Sequence, residues 1–466
     1  MPRRFWVETL GCPKNQVDSD KLTGTLLADG LVPAHAPDDA DLVVVNTCAF
    51  IGEARQESID TVLALDDARR DGSQLVVTGC LAERYGDELA EAMPEADAVA
   101  GFGVPVTLTA KPGAGPRRAL RASDPEVPSF DLLGLPRPRA SAPWAYVKVA
   151  EGCDRACGFC AIPTFRGPQR SRTVDDVVDE VDALGAAEIV LVAQDLAAYG
   201  RDQGVGERRI VELVDRVAER VERVRLLYLY PSDLTDSLVE AVLATDVAYF
   251  DLSLQHVSRP LLRRMRRWGD GERFLARIEA IRAAAPDAAF RSNLIVGYPG
   301  ETEADHDELL AFVDAARLDW CGVFAYSAEE GAYAAGLDGA VAPGLVAERI
   351  AEVRARQDAI TAARRDELIG SVVEVLVDAP GEGRTHREAP EIDGIVTVPD
   401  TLPVGTFVDV VVTDALGPDL VAEPLAGDAG APRTHTARRA QTGRARAGRA
   451  PAGRASDGRA LAGWCP

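Results

Sequence analysis

Apolar runs of strand length alternate with helix-length segments along this chain, and cysteines stand where several of those runs end. Phe5 to Leu10 leads into Gly11-Cys12, Asp41 to Val45 into Asn46-Thr47-Cys48, and Gln74 to Thr78 into Gly79-Cys80. A buried strand followed by a helix-length stretch, repeated, is the pattern of parallel βαβ units. The carboxyl ends of parallel strands share one edge of their sheet, so cysteines far apart in sequence can converge there. Residues 1–103 are therefore expected to form an open α/β domain with Cys12, Cys48 and Cys80 at one edge.

Residues 104–143 lose this periodicity and become rich in Pro, Arg, Ala and Ser, which predicts a linker draped over the next domain. Strands are predicted near Ala145–Val149, Glu188–Val192, Arg225–Tyr230, Phe250–Leu254, Arg291–Val296 and Gly322–Tyr326. Between the first two, Val174, Val177, Val178, Val181 and Leu184 recur at helical spacing behind a capping Thr173. Six βα units over residues 144–369 predict a partial (β/α) barrel rather than a closed eight-fold one. After a helical run around Leu345 to Leu368 the period changes to two, in Val373–Val377, Gly394–Val398 and Thr406–Val412. Residues 370–424 thus read as a small antiparallel β-barrel. The Ala/Gly/Arg-rich stretch 425–466 cannot build a core and is expected to be disordered.

The bulk numbers fit this α/β multidomain reading. The 466 residues suffice for several cores, and the 47% hydrophobic content contains no apolar run of membrane length, so no membrane association is expected. Met1 to Glu8 has no long apolar segment of a secretion signal, and the expected location is the cytoplasm. Thiols there serve more often as cluster ligands than in disulfides. The formal charge is −23, yet the stretch from Ala431 to Pro466 carries eight Arg against the single Asp457, so the rest is more acidic still. Such a body repels naked nucleic acid and favours a basic partner.

Cys153, Cys157 and Cys160 stand in Glu151-Gly152-Cys153-Asp154-Arg155-Ala156-Cys157-Gly158-Phe159-Cys160, just past the first barrel strand. Three thiolates so close can hold three irons of a [4Fe–4S] cluster and leave the fourth open. A zinc site would want a fourth ligand, and the flanking sequence offers no further Cys or His. The three cysteines of the first domain argue for a second cluster. Cys321 reads as strand packing and Cys465 as incidental.

These residues carry a resemblance. The Cys153 motif is similar to that of the radical S-adenosylmethionine (SAM) enzymes. Leu10–Asn15 with Val17–Ser19, Val45–Ile51 and Gly79–Tyr85 resemble the methylthiotransferases within that group. The resemblance covers all but the linker and the tail, and it implies a cluster domain, a radical SAM domain and a TRAM-like barrel. It also implies two [4Fe–4S] clusters, with SAM cleaved at the Cys153/Cys157/Cys160 cluster and the methylthio group prepared at the other. No side-chain acid or base follows from it. It further implies that Phe159, Ala161, Ile162, Gln194, Ser232, Gln255, Ile295 and Gly297 line the cofactor site. Asp195, Asp233 and His256 fall on the same rim without an assigned role.

Two substrate classes exist in the family: a tRNA adenosine, and the β-carbon of an aspartate in small-subunit ribosomal protein number twelve. Pro13-Lys14-Asn15, Cys48-Ala49-Phe50-Ile51, Leu254-Gln255-His256 and Glu388–Gly394 resemble the ribosomal-protein enzymes. Residues 370–423 hold only Arg384 and Arg387 against eleven Asp and Glu, a poor surface for phosphates and a fitting one for a basic protein. Glu391 and Asp393 are expected on a loop that docks this substrate. An electron donor is required, and a monomer is expected. The tRNA enzyme and a non-catalytic iron–sulfur carrier remain as rivals.

Overall fold

The structure, a computed structural model, describes residues 2–108, 131–204 and 208–425. Most of the predicted linker, together with the Arg-rich stretch and Cys465, lies outside the described residues.

The first domain runs β1 (Arg4–Thr9), α1 (Pro13–Ala28), β2 (Val32–Pro33), β3 (Leu42–Thr47), α2 (Gly52–Ala68), β4 (Gln74–Gly79), α3 (Cys80–Ala92) and β5 (Ala98–Ala100). Its sheet is parallel throughout, in the order β2-β1-β3-β4-β5. Every residue of β3 and β4 is buried, because helices cover both faces, and their runs accordingly show no alternation. The edge strands β2 and β5 were not anticipated. At two and three residues they are too short to leave a pattern, and an edge tolerates the missing N–H of Pro33.

The middle domain runs β6 (Trp144–Lys148), β7 (Ala150–Glu151), α4 (Ile162–Arg166), β8 (Arg170–Ser171), α5 (Val174–Leu184), β9 (Glu188–Val192), α6 (Ile210–Ala218), β10 (Arg223–Leu226), α7 (Asp236–Leu243) and β11 (Tyr249–Gln255). It continues through α8 (Arg259–Arg264), α9 (Gly271–Ala284), β12 (Ala289–Val296), α10 (Glu303–Ala316), β13 (Trp320–Ala325) and α11 (Pro343–Asp366). Strands β6-β9-β10 and β11-β12-β13 form two parallel triplets, joined where Leu229 bridges Leu252. Strands β6 and β13 do not pair, so the barrel is partial, with six strands. The helix α5 shows why the units form. The Thr173 hydroxyl accepts from the Asp176 N–H, the buried Val174, Val177, Val178, Val181 and Leu184 face the strands, and Gly185 ends the helix at φ +63°.

The last domain is a closed five-stranded barrel of β14 (Val372–Ala379), β15 (Glu382–Arg384), β16 (Val396–Thr397), β17 (Phe407–Leu416) and β18 (Asp419–Pro424). It departs from the antiparallel expectation at one seam, where β16 and β18 run parallel.

The segment between β15 and β16 plugs the amino end of the six-stranded barrel. Ala389 and Ile392 join Tyr146, Val190, Tyr249 and Trp320 in one apolar cluster. Tyr146 donates to the Pro390 carbonyl (2.7 Å) and Trp320 to that of Arg387 (2.7 Å). Asp393 corrects the docking expectation. Its carboxylate accepts from the Tyr249 hydroxyl (2.6 Å), pairs with Arg291 (3.3 Å) and is 2% exposed, so it serves the plug and cannot meet a substrate. Glu391 is exposed, but it stands beside the plug, away from the carboxyl rim. The pattern of acidic residues could not reveal this, because burial of a charge depends on partners distant in sequence.

Candidate active site

The register β1-β3-β4 sets Thr9 beside Asn46, Asn46 beside Thr78 and Thr47 beside Gly79, so Cys12, Cys48 and Cys80 leave adjacent strands at one edge. Gly11 takes φ +93°, and a side chain there would meet Cys48 at Cβ 2.8 Å away. Asn15 ties the loops together by donating to the carbonyls of Leu10 (2.9 Å) and Thr47 (3.0 Å). Burial pushes the Cys48 thiol up to about 12 and raises Cys80, whereas at Cys12 burial is outweighed by the charges of Lys14 and Arg166 together with the backbone N–H groups of Asn15 and Lys14, and the thiol is lowered. The Arg166 guanidinium reaches across from the middle domain, with Nη2 2.9 Å from Cys80 Sγ and 2.9 Å from Asn15 Oδ1.

Cys153, Cys157 and Cys160 occupy the loop between β7 and α4, above the carboxyl rim of the barrel. Gly152 at φ +78° lies against the carbonyls of Gly167 and Pro168, and Cys153 N–H donates to the Gly167 carbonyl (3.0 Å). Gly158 bonds to Met265 (2.8 Å) and accepts from Ala334 (2.7 Å), which anchors the far side of the loop. Arg267 Nη1 donates to Cys157 Sγ (3.2 Å), and the Arg155 N–H to Cys153 Sγ (3.4 Å). Burial lifts the thiols of Cys153 to about 11 and Cys160 to about 12. Metal binding must displace such protons.

The loop and the first domain share a buried charge chain. Glu151 accepts from Lys148 (2.7 Å), Arg166 (2.7 Å) and Gln194 (2.8 Å), and Lys148 also binds Asp18 on α1. Against the burial that would raise it, Arg166 and Lys148 hold the Glu151 carboxyl far below its usual range. Farther round the rim, Arg155 binds Asp195 (2.6 Å) and Asp233 and stacks on Tyr230 (3.9 Å). Glu329, with a side chain 1% exposed, binds Arg55 and Arg84 (2.8 Å) of the first domain. The loop and strand-end residues expected at the cofactor site all stand along this rim. Phe159 packs on the barrel core, Ala161 caps α4 ahead of Ile162, and Gln194 keeps a buried Oε1 without a partner. Ser232 lies next to Asp233, Gln255 ends β11 at φ +70°, and Ile295 and Gly297 stand at the end of β12.

Comparison with known proteins gives three family matches in chain order: the uncharacterized protein family UPF0004 over residues 4–101, the Radical SAM superfamily over 147–313 and the TRAM domain over 369–425. The chain is 42% identical to a ribosomal protein uS12 methylthiotransferase RimO of Saccharopolyspora erythraea over 91% of this chain and 95% of that one. The protein of the same description from Moorella thermoacetica is 44% identical (88% and 96% covered), and that from an Anaeromyxobacter strain 41% (94% and 98%). The chain belongs to the RimO methylthiotransferase family.

Membership in the RimO family implies iron–sulfur clusters and SAM, and the residues present fit them. Each thiol triad has an Arg N–H directed at a sulfur, Arg166 at Cys80 and Arg267 at Cys157, which suits thiolate rather than thiol. Among the described residues no three His, Cys, Asp or Glu side chains close on a single-ion site. A cubane puts each thiolate on a different iron and needs no such closure. The orphaned Gln194 Oε1 offers an acceptor to a bound cofactor. His256 is a packed histidine: it is fully buried, Nδ1 accepts from the Ser258 N–H (3.1 Å), and burial lowers it to about 4. The sequence reading gave no role to Lys14 and Glu151, which stand within its motifs, and did not single out Arg166 or Arg267. Arg166 ends the short helix α4 that follows the third cysteine. No helix among the described residues is long and apolar enough to cross a membrane.

Proposed function

We propose that this protein transfers a methylthio group to the β-carbon of an aspartate in ribosomal protein uS12. The observation that carries this reading is the coupling of two three-thiol sites in one body, Cys80 through Arg166 to Glu151 beside the Cys153 loop. Cys12, Cys48 and Cys80 would hold one [4Fe–4S] cluster and Cys153, Cys157 and Cys160 the other. When bound, the two clusters supply a methylthio group and the reductive cleavage of SAM.

The residues of the chain position and enclose. Phe159, Ala161, Ile162, Gln194, Ser232, Gln255, Ile295 and Gly297 would line the SAM site. The Lys148–Asp18 and Glu329–Arg84 ion pairs hold the first domain against the barrel rim, which shields a reactive carbon from water. The surface of the last barrel favours the protein substrate over tRNA. Its Arg384 is buried against Glu188 and Asp378, and its Arg387 is partly buried, while Glu391, Asp400, Asp414 and Glu423 are exposed. The protein would act as a cytoplasmic monomer served by an electron donor.

The test is mass spectrometry of uS12 after anaerobic reaction with the reconstituted enzyme and SAM, with tRNA nucleosides analysed in parallel. A methylthio mass gain on the uS12 aspartate is expected. Methylthiolated tRNA in place of modified uS12 would transfer the assignment to the tRNA class. Replacing Cys153, Cys157 and Cys160 with Ala should abolish SAM cleavage, whereas replacing Cys12, Cys48 and Cys80 should abolish methylthio transfer alone.

A further inference from the structure

The structure describes three lysines, and they differ in their partners. Lys21 is buried against Glu180 (3.3 Å), and Lys148 against Asp18 and Glu151. Lys14 is also buried, at 9% exposure against 0% for the other two, yet among the described residues no carboxylate pairs with it. Its ammonium lies 3.7 Å from the ring centre of Tyr228, a cation–π contact that steadies the charge, and among the described residues no acceptor takes its hydrogen-bond donors.

The location gives this free cation its meaning. Lys14 is the second residue of α1, two positions past Cys12, at the positive end of a sixteen-residue helix. Tyr228 comes from the middle domain, just past β10 on the carboxyl rim. It is held at φ +65°, a conformation costly for a residue with a side chain, while its N–H donates to Asp251 (2.9 Å). Lys14 therefore stands between the first thiol triad and the barrel mouth. The neighbouring cations are taken: Arg155 holds Asp195 and Asp233, Arg166 holds Glu151, and Arg291 holds Asp251 and Asp393.

We propose that Lys14 is the residue that binds the side-chain carboxylate of the substrate aspartate. The inference rests on the uS12 reading above and deepens it. A carboxylate entering this enclosed cleft loses its water and needs a cation with donors to spare. In aspartate the carboxyl carbon is bonded directly to the β-carbon. A carboxylate on Lys14 therefore brings the reacting carbon next to Cys12, where the methylthio group must be delivered. An adenine has no anion to offer at this point, so Lys14 also selects between the substrate classes of the family.

The experiment measures anaerobic binding, without SAM, of uS12 and of uS12 carrying Asn at the modified position to enzyme with both clusters in place. The wild type should bind the Asp form at least tenfold more tightly. K14M and K14Q should bind both forms alike, near the wild-type affinity for the Asn form, and K14R should recover most of the preference. Product formation by K14M should fall with the lost binding. If K14M and K14Q keep the wild-type preference, Lys14 does not hold the carboxylate, and the substrate reading survives without it. If the wild type binds neither form of uS12, the substrate reading itself fails and takes this role with it.

Discussion

Arg166 and Cys80 belong to different domains, and Arg166 Nη2 stands 2.9 Å from Cys80 Sγ. The same guanidinium binds Glu151, two residues before Cys153, so one buried side chain touches the surroundings of both thiol triads. Its charge and N–H groups favour the thiolate at Cys80, and hydrogen bonds to cluster sulfurs raise a reduction potential. R166M should therefore make the potential of the first cluster more negative, with R166K intermediate. A redox titration in a background lacking Cys153, Cys157 and Cys160 isolates that cluster. An unchanged midpoint in R166M would remove the electronic role.

Gly152 cannot carry a side chain without moving the loop. It combines φ +78° with contacts to the Gly167 and Pro168 carbonyls, which are backbone and cannot swing aside. G152A should displace Cys153 and cost the second cluster while sparing the first. Iron and sulfide content after reconstitution should fall to roughly half of the wild-type value, one cluster of two remaining. Full content would show that the loop adapts.

Glu329 holds Arg55 and Arg84 of the first domain with a side chain 1% exposed. Removing one partner of a buried ion pair typically costs about 3–5 kcal/mol, because the other charge stays buried and uncompensated. E329A should loosen the first domain from the barrel while each keeps its own core. Limited proteolysis should then cut between them faster than in the wild type, with both fragments resistant afterwards. Equal cleavage rates would place the main attachment elsewhere.

His256 makes stability depend on pH in one direction. In the unfolded chain a histidine takes its proton near pH 6.5, whereas in the fold burial holds His256 to about 4. The unfolded state thus binds the proton first as pH falls, and stability is lost between those two values, about 3 kcal/mol in all. The melting temperature of H256Q should fall less than that of wild type between pH 7 and pH 4.5. Parallel curves for the two proteins would assign the acid sensitivity to other groups.

Much of this architecture is legible in local sequence. The strand ends that carry Cys12, Cys48 and Cys80 follow from strand-length runs closed by Gly-Cys or Thr-Cys steps, and β3 and β4, buried on both faces, are the most apolar of them. Five of the six barrel strands and α5 with its Thr173 cap are legible too, whereas the third strand, expected at Arg225–Tyr230, runs Arg223–Leu226. Short pieces such as β2, β5 and β15 do not, because two or three residues carry no period and form only when longer neighbours offer an edge.

What the sequence determined by itself is therefore the order of domains, the three cysteines at strand ends and the chemistry that three thiols in one loop allow. Only the tertiary structure decided which charges work at the site and which hold the fold. Asp393 looked like a surface carboxylate and proved to be the buried partner of Arg291, while Lys14 looked like one residue of a motif and proved to be a buried cation over the Tyr228 ring. The reason is physical. Apolar periodicity is written within a single element, but the fate of a charge is set by burial and by partners that lie 102 positions away for Asp393 and 214 for Lys14.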